Sequence, residues 1–212
     1  MKKTILITLL LMSFISYNFA QEKVVQLPSP RTDGGMPVMK ALKNRQTSRE
    51  FSNRKVSDQV LSDLLWAGFG INRPDTKKRT APSAMNYQET DVYVIVADGG
   101  YLYDAVKNSL IPVTSEDLRG IAGIQDFVKT APVNIILVSD YSRMTKSDEH
   151  MKEVFGMADA AYVSGNLYIF CASEGLATGV RAGMDKEKLA KALKLRPEQH
   201  IMLGQAVGYF KE

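Results

Sequence analysis

Two apolar stretches decide the fold class of this chain, DVYVIVA at residues 91–97 and PVNIILVS at residues 132–139. Both are rich in β-branched residues and show little alternation of polar and apolar positions, which is typical of strands buried on both faces. The strongest helical pattern follows them at residues 149–174, where apolar residues recur at helical spacing. Gly175 is placed to end that helix. The pattern indicates a central sheet with a long helix packed against it.

Shorter elements complete the pattern. A helix is expected at about residues 37–46, and the next one begins after Ser57, whose side chain suits the N-cap position. A further helix is expected at residues 117–129. Asp185 should cap a short helix, and residues 201–210 should form a final strand. This order predicts an α+β fold in which helices flank a central sheet, in a three-layer α/β/α arrangement.

The first twenty residues have the features of a secretory signal. Lys2 and Lys3 precede an apolar run at residues 5–15, and Ala20 ends a small-residue cleavage site. The alternative is a membrane anchor, but the run is shorter than the roughly 20 residues that a spanning helix needs. We therefore expect residues 1–20 to be cleaved, and the mature protein to be exported to the periplasm without a membrane span.

The rest of the chain is predicted to form one domain, residues 38–212, behind an arm or linker rich in proline and glycine, residues 21–37. The 212-residue sequence is 45% hydrophobic and 24% charged, which is the range of ordinary globular proteins. Without the two lysines of the signal, 25 basic residues stand against 23 acidic ones, a net charge of +2. So small a charge does not support nucleic-acid binding.

Several kinds of active site have no support in the sequence. The single cysteine, Cys171, lies in an apolar helical stretch and is interpreted as a packed core thiol. His150 and His200 have no partner at metal-ligand spacing, so no metal site is predicted. The chain has no G-x-G-x-x-G turn, no Walker A motif and no G-x-S-x-G motif. A Rossmann dinucleotide site and a triad hydrolase are therefore not expected.

Three stretches carry residues suited to a flat, phosphorylated ligand. RQTSREF at residues 45–51 offers two arginines, whose forked donors match phosphate. RTAPSAMNYQ at residues 79–88 lies in a long polar loop, residues 70–90, and offers hydrogen-bonding groups beside a rigid proline. GLATGVRAGMD at residues 175–185 joins two helices through small residues that leave backbone N–H groups free. Taken singly, each also fits a simpler alternative: a solvated helix end, a surface loop and a tight connection.

Together these stretches resemble the nitroreductase family, and most closely the branch of SagB/ThcOx-type thiazole- and oxazole-forming dehydrogenases. The resemblance covers roughly residues 38–210. The motifs that carry it stand in the family's order: Arg45-x-Thr47-x-Arg49-x-Phe51, Trp66-Ala67-Gly68 with Gly70-Ile71-Asn72-Arg73, Pro82-Ser83-Ala84, Leu102-Tyr103-Asp104 with Asp117-Leu118-Arg119, Ala131-Pro132-Val133, Gly165-Asn166-Leu167-Tyr168, Gly175-Leu176 and Val207-Gly208-Tyr209. Each motif is weak alone, but eight in order with plausible spacing are strong.

The resemblance implies an FMN-dependent oxidoreductase that forms a homodimer with FMN at the subunit interface. The residues implied to hold the phosphate, ribityl chain and pyrimidine edge are Arg45, Gln46, Thr47 and Arg49. Those implied to cover the isoalloxazine from the other subunit are Pro82, Ser83, Ala84 and Asn86. Backbone N–H groups of Ala182 and Gly183 would face flavin N5. Because the flavin carries the redox chemistry, no catalytic side chain is implied.

The chain departs from the family at two points. Family members often carry lysine or arginine after the final Gly-Tyr for the phosphate, whereas here only Lys211 remains. Phosphate binding would then rely more on Arg45 and Arg49, with Lys211 or Arg181 as a substitute. Ala182 stands where the family usually has glutamate or glycine, a change that a backbone contact tolerates.

The expected substrate is a small, flat molecule of nitro, quinone or azoline type. Export separates the protein from cytoplasmic NAD(P)H, so the electron donor is open: a quinol, another redox protein, or the substrate itself with electrons passed onward. Two alternatives stay open. One is a non-catalytic flavin-binding or carrier protein that kept the fold, and the other is a flavin-free interaction module.

Overall fold

The computed structural model describes residues 23–211, and the predicted signal peptide, residues 1–20, lies outside them. Within this part of the chain no helix is long and apolar enough to cross a membrane. The helices are α1 (Val38–Asn44), α2 (Asp58–Phe69), α3 (Asp126–Thr130), α4 (Glu149–Glu174) and α5 (Lys186–Ala192). The strands are β1 (Val25–Gln26), β2 (Ile71–Arg73), β3 (Lys78–Arg79), β4 (Thr90–Val96), β5 (Gly99–Asp104), β6 (Ser109–Thr114), β7 (Val133–Asp140), β8 (Leu176–Arg181) and β9 (Gln199–Tyr209).

Seven strands form one antiparallel sheet in the order β1-β6-β5-β4-β7-β9-β8, and β2 and β3 form a separate small hairpin. Every residue of β7, which lies between β4 and β9 in the interior of the sheet, is buried. β8 is an edge strand that pairs with β9 along its whole length, from Leu176 opposite Tyr209 to Arg181 opposite Gly204.

The sheet is covered on both faces, which confirms the predicted α+β fold with three layers. On one face Ile135 and Leu137 of β7 pack against α2 and α4. On the other face Ile136 and Val138 pack against α5 and the turns that precede β7. Burying such side chains contributes about 1.5–3 kcal/mol each to folding, and the period of two along β7 assigns successive residues to opposite faces.

The local helix signals are confirmed. Ser57 Oγ accepts a hydrogen bond from Val60 N at 3.3 Å, so α2 begins where its N-cap predicts. Asp185 Oδ1 accepts from Lys188 N at 3.0 Å and caps α5. Gly175 has φ +69° and ends α4 in the left-handed conformation that glycine adopts without strain.

The prediction of one helix at residues 117–129 is wrong. The structure has a 3-10 turn at Leu118–Ile121 and only a five-residue α3. The carbonyl oxygen of Ala122 accepts from the Arg181 guanidinium at 2.8 and 3.0 Å, so it cannot accept from a following helical turn. Gly123 is also packed against that guanidinium, since a Cβ there would lie 2.6 Å from Arg181 Nε. A distant side chain therefore interrupts the local helical pattern.

The structure also contains strands that the sequence did not predict. Residues 175–185, interpreted as a tight connection, contain β8. The polar loop at residues 70–90 contains the β2–β3 hairpin, and the β5–β6 hairpin was not predicted at all. These strands are short and carry glycine, proline or charged residues, so they lack the apolar run that identifies β4 and β7.

The described part of the predicted arm or linker, residues 23–37, is fastened to the domain. β1 pairs with β6 through Val25 opposite Leu110, and Leu27 is buried. Farther along, Arg31 Nη2 lies 2.6 Å from a carboxylate oxygen of Asp63, whose side chain is buried in α2.

Candidate functional site

Residues 45–51, here called the Arg45 segment, run in extended form beside the edge strand β8. Ser48 N donates to Thr178 O at 2.8 Å, and Phe51 forms a bridge with Phe210 just after β9. Gly179 makes the close approach possible, because a Cβ there would lie 2.9 Å from Ser48 O. The first and third of the predicted stretches, far apart in sequence, therefore meet in one chain.

Tyr168 on α4 ties this arrangement together. Its hydroxyl oxygen lies 2.9 Å from Thr47 Oγ1 and accepts a hydrogen bond from Val180 N at 3.0 Å. The Arg45 guanidinium lies 5.4 Å from the centre of the Tyr168 ring, within the range of a cation–π contact. Tyr168 belongs to a family motif, but its role in the site was missed, because nothing local shows that its hydroxyl meets Thr47 and β8.

The cations of the Arg45 segment are open to an anionic ligand. Arg45 and Arg49 are exposed, and among residues 23–211 neither forms an ion pair with a carboxylate. Arg54 lies 3.9 Å over the ring of Tyr209, close to the end of β9. Exposed guanidinium groups of this kind suit a phosphate group. Arg54 is a third basic residue that the sequence analysis did not single out.

A cavity of about 440 Å³ lies next to this segment, and Gln46, Thr178 and Phe210 are among its lining residues. Gln46 is exposed on the segment, with its amide available to a ligand. The cavity thus lies between Gln46 of the Arg45 segment and the beginning of β8.

Ala182 and Gly183 follow β8 directly, and both are exposed. Gly183 O accepts a hydrogen bond from Ile124 N at 3.3 Å, which ties this turn to the segment before α3. Ile124 is 76% exposed although it is apolar. The predicted N5-facing turn therefore lies two to three residues beyond Val180, directly after the edge strand that the Arg45 segment adjoins.

Arg181 is turned away from that edge. Its guanidinium lies across Gly204 and donates to Ala122 O and, at 2.7 Å, to Asn134 Oδ1. The residue is 6% exposed, and burial lowers its pKa to about 10. These contacts take Arg181 into the layer of α3 and α5, so the structure does not bring it to the Arg45 segment as a phosphate ligand.

The second predicted stretch contacts α4 at a different position from the Arg45 segment. In the loop of residues 82–88, here called the Pro82 loop, Ala84 N donates to Asp159 Oδ2 at 2.8 Å, and Ser83 Oγ accepts from Gln88 N at 2.9 Å. Pro82 and Asn86 are exposed. Asp159 precedes Tyr168 by nine residues, roughly 13 Å along a helix axis. The Pro82 loop and the Arg45 segment therefore lie at separate positions along α4 within one chain.

A buried carboxyl pair lies under the Pro82 loop. Glu89 is 0% exposed and Asp159 is 3% exposed, and the two carboxyl groups are within hydrogen-bonding reach. Burial, with the neighbouring Asp159 charge, raises the pKa of Glu89 to about 7, and burial also raises the pKa of Asp159. Nothing in the local sequence indicated this pair, because it forms only when α4 packs on the start of β4.

One face of α4 exposes an apolar stripe to solvent. Val154, Met157 and Tyr162 are 44%, 38% and 55% exposed, and the small residues Ala161 and Gly165 lie among them. Their spacing places them on one side of the helix. Small and apolar residues on an exposed helix face suit close packing against another protein surface.

A model of the nitroreductase family matches residues 42–209, so the chain belongs to that family and is an oxidoreductase by membership. The crystal structure of a nitroreductase-type protein from Ralstonia eutropha JMP134 is similar to it, with 36% identity, 91% of each chain covered and a TM-score of 0.86. A nitroreductase-type protein of Methanocaldococcus jannaschii is 27% identical over 165 residues, which are 72% of this chain and 81% of that protein. A third relative, from Desulfovibrio desulfuricans, was crystallised with FMN. Its sequence is 22% identical, and the match covers 84% of this chain and 88% of the relative. The TM-score of 0.62 shows a similar fold.

Proposed function

We propose that this protein is an exported, FMN-dependent oxidoreductase that works as a homodimer. The observation that carries the proposal is the meeting of the Arg45 segment with β8. It places two arginines, which form no ion pair within residues 23–211, beside the edge strand that leads into the exposed Ala182–Gly183 turn. A cationic end and a turn with backbone N–H groups match the two ends of a phosphorylated, planar cofactor.

In this proposal Arg45 and Arg49 bind the FMN phosphate, while Gln46 and Thr47 hold the ribityl chain and pyrimidine edge. The backbone N–H groups of Ala182 and Gly183 face flavin N5. When bound, FMN supplies the redox chemistry, and the protein supplies orientation and electrostatics. Donors directed at N5 would polarise that atom as a hydride acceptor.

The apolar stripe on α4 and the position of the Pro82 loop support the proposed homodimer. A second copy packed on the stripe would cover Met157, Ala161 and Tyr162, which are otherwise exposed. The separation of the Pro82 loop from the Arg45 segment in one chain supports a site built by two chains. The residues that the second copy would place over the isoalloxazine are Pro82, Ser83, Ala84 and Asn86.

The proposed substrate is a small, flat molecule of nitro, quinone or azoline type, and the azoline option rests on the resemblance to the SagB/ThcOx branch. Export rests on the signal features of residues 1–20 and on cleavage after about Ala20. A periplasmic enzyme would draw electrons from a quinol or a redox protein, or oxidise its substrate and pass the electrons onward.

In the test, the full sequence is expressed and the exported protein is purified from the periplasm. We expect the protein to show flavin absorbance at about 450 nm, and dithionite to bleach that absorbance. The reduced protein should then turn over a quinone or a nitroaromatic compound. A colourless protein that does not bind added FMN would refute the proposal. A yellow protein that is reduced but turns over no acceptor would instead support a flavin carrier. Retention of residues 1–20 in the exported protein, measured by intact mass, would contradict the cleaved signal.

A further inference from the structure

Glu89 and Asp159 lie in a setting that cannot hold two negative charges at low cost. Both side chains are almost wholly buried, and their carboxyl groups are within hydrogen-bonding reach. Glu89 Oε2 is buried without a hydrogen-bond donor among the described residues, while Thr90 Oγ1 lies 3.4 Å from Glu89 Oε1. A proton between the two carboxyl groups would remove the repulsion and satisfy an otherwise unpaired oxygen.

The charged groups around the pair do not neutralise it. Among residues 23–211 no lysine, arginine or histidine forms an ion pair with Glu89 or Asp159. The next acidic side chain on β4, Asp91, is paired with Arg143 at 2.6 Å, and on β7 Asp140 is paired with Arg143 and Arg196.

On the hairpin side, Arg79 donates to Gln88 Oε1 at 2.9 Å rather than to either carboxyl of the pair. From β7, Ser139 lies opposite Thr90, and its buried hydroxyl has no hydrogen-bond partner in the described chain. None of these neighbours places a cation against the pair, so a shared proton is the compensation that removes its second charge.

The Pro82 loop is held by Asp159 near its beginning and leads directly into Glu89 at its end. Asp159 Oδ2 accepts from Ala84 N at 2.8 Å near the beginning of the loop, and Glu89 follows its last residue. Between them Met85, Asn86 and Gln88 have φ of +49°, +57° and +49°. Non-glycine residues adopt this region at a cost, so the loop keeps its shape only where other contacts impose it.

We propose that Glu89 and Asp159 share one proton, and that the protonated pair positions the Pro82 loop while loss of that proton loosens it. Glu89 and Asp159 act here as positioning residues. The loop geometry stands on the described chain alone, and its bearing on FMN rests on the proposed function. Above neutral pH the pair would carry two charges, and their repulsion would weaken the hold of Asp159 on Ala84 N.

The sign of the pH effect follows from the direction of the shift. Burial and the Asp159 charge raise the pKa of Glu89 from 4.5 to about 7, so the folded state binds the proton more tightly than the unfolded chain does. The contribution of this pair to stability is therefore fully present below pH 4.5 and falls as the pH rises toward 7.

The test measures hydrogen-exchange protection of the Ala84 amide from about pH 5.5 to about pH 8.5, corrected for the intrinsic pH dependence of exchange, without added FMN. In the wild-type protein we expect protection of the Ala84 amide to fall by about tenfold across this range. This corresponds to a difference of about one unit in the pKa of the carboxyl pair between the closed and the open loop. Glu89→Gln keeps a neutral donor beside Asp159, so its protection should stay flat. Glu153→Gln, the same change at an exposed site on α4, should follow the wild-type curve.

Identical curves in the wild-type protein and Glu89→Gln would overturn the proposal. If Glu89→Gln fails to fold, Asp159→Asn serves in its place. Its amide oxygen can still accept from Ala84 N, its NH₂ group can donate to Glu89, and a flat curve is again expected. FMN affinity is measured separately over the same pH range. Loss of protection without any FMN binding would leave this proposal standing and refute the cofactor assignment, whereas FMN binding with flat wild-type protection would do the reverse.

Discussion

The hydroxyl oxygen of Tyr168 lies 2.9 Å from Thr47 Oγ1, so a residue on the buried side of α4 holds a residue of the exposed Arg45 segment. The same oxygen accepts from Val180 N at 3.0 Å. One side chain thereby connects the helix, the edge strand and the segment proposed to bind phosphate. The relationship makes Tyr168 a structural link between the two halves of the candidate site.

Tyr168→Phe should weaken that link while keeping the ring packed. Val180 N and Thr47 Oγ1 would lose a partner in a half-buried position, so the free energy of unfolding should fall by about 1–2 kcal/mol. Urea denaturation measures the change. Tyr141→Phe is the matched control, because Tyr141 lies outside the stripe on α4 and packs through its ring, which is stacked on His200 with the ring centroids 4.0 Å apart. Equal effects of the two substitutions would show that the Tyr168 hydroxyl is not the link.

Replacing Arg45 or Arg49 with alanine should lower FMN affinity. A charge-assisted hydrogen bond to a phosphate contributes about 1.5–3 kcal/mol, so each loss should raise the dissociation constant by roughly 10- to 100-fold. Fluorescence titration of FMN measures it. Lys40→Ala removes an exposed cation from the neighbouring helix α1 and should change the dissociation constant little. An unchanged affinity in both arginine variants would point to a flavin-free protein or to another binding site.

Arg181→Met should destabilise the fold rather than abolish a phosphate contact. It leaves Ala122 O and Asn134 Oδ1 without their donor, at roughly 1–3 kcal/mol for each unsatisfied group, offset in part because a buried unpaired charge is removed. Thermal unfolding measures the loss. Arg119→Met, in the neighbouring turn, breaks a partly exposed pair with Asp117 and should cost about 1 kcal/mol or less. A loss of FMN affinity without a loss of stability would contradict the structural role.

The apolar stripe on α4 should be the dimer interface. Ala161→Glu would place two carboxylates near the symmetry axis of a two-fold dimer and should raise the dissociation constant of the dimer at least about a hundredfold. Sedimentation velocity measures the oligomeric state. Val106→Asp adds the same charge at an exposed apolar site in the β5–β6 turn and should leave the dimer intact. A wild-type protein that is monomeric at micromolar concentration would refute the two-chain site.

The thiol of Cys171 should be unreactive in the folded protein. Burial raises its pKa to about 12, so the thiolate that reacts with disulfide reagents is scarce at neutral pH. A disulfide reagent that is followed by absorbance should label no thiol in the native protein and one thiol per chain after denaturation. Rapid labelling of the native protein would mean that α4 opens at this position. The interpretation of Cys171 as a core residue is already confirmed by its burial.

Much of the fold could be predicted because the relevant information is local. The runs that became β4 and β7 are continuous apolar stretches, and α4 shows helical spacing over 26 residues. Ser57 and Asp185 cap helices through their own side chains, within three residues of their partners. Such signals depend on neighbours in sequence, so they survive without knowledge of the tertiary structure.

The candidate site could be predicted as a set of residues, but not as an arrangement. The Arg45 segment, the Pro82 loop and the Ala182 turn were each singled out from motifs. No pattern in the sequence predicts that Ser48 N bonds to Thr178 O. Nor does any pattern predict that Asp159, at another position along α4, holds the Pro82 loop.

By itself the sequence determined the class of fold, the long helix and its end at Gly175, and the set of residues that resembles a flavin site. Only the tertiary structure decided that residues 176–181 form a strand, that Arg181 interrupts a helix at Ala122, and that Glu89 meets Asp159. The physical reason is that these outcomes depend on which groups lie opposite one another after folding. Desolvation and hydrogen bonding act across space, so a buried carboxyl or guanidinium acquires its properties from residues dozens of positions away.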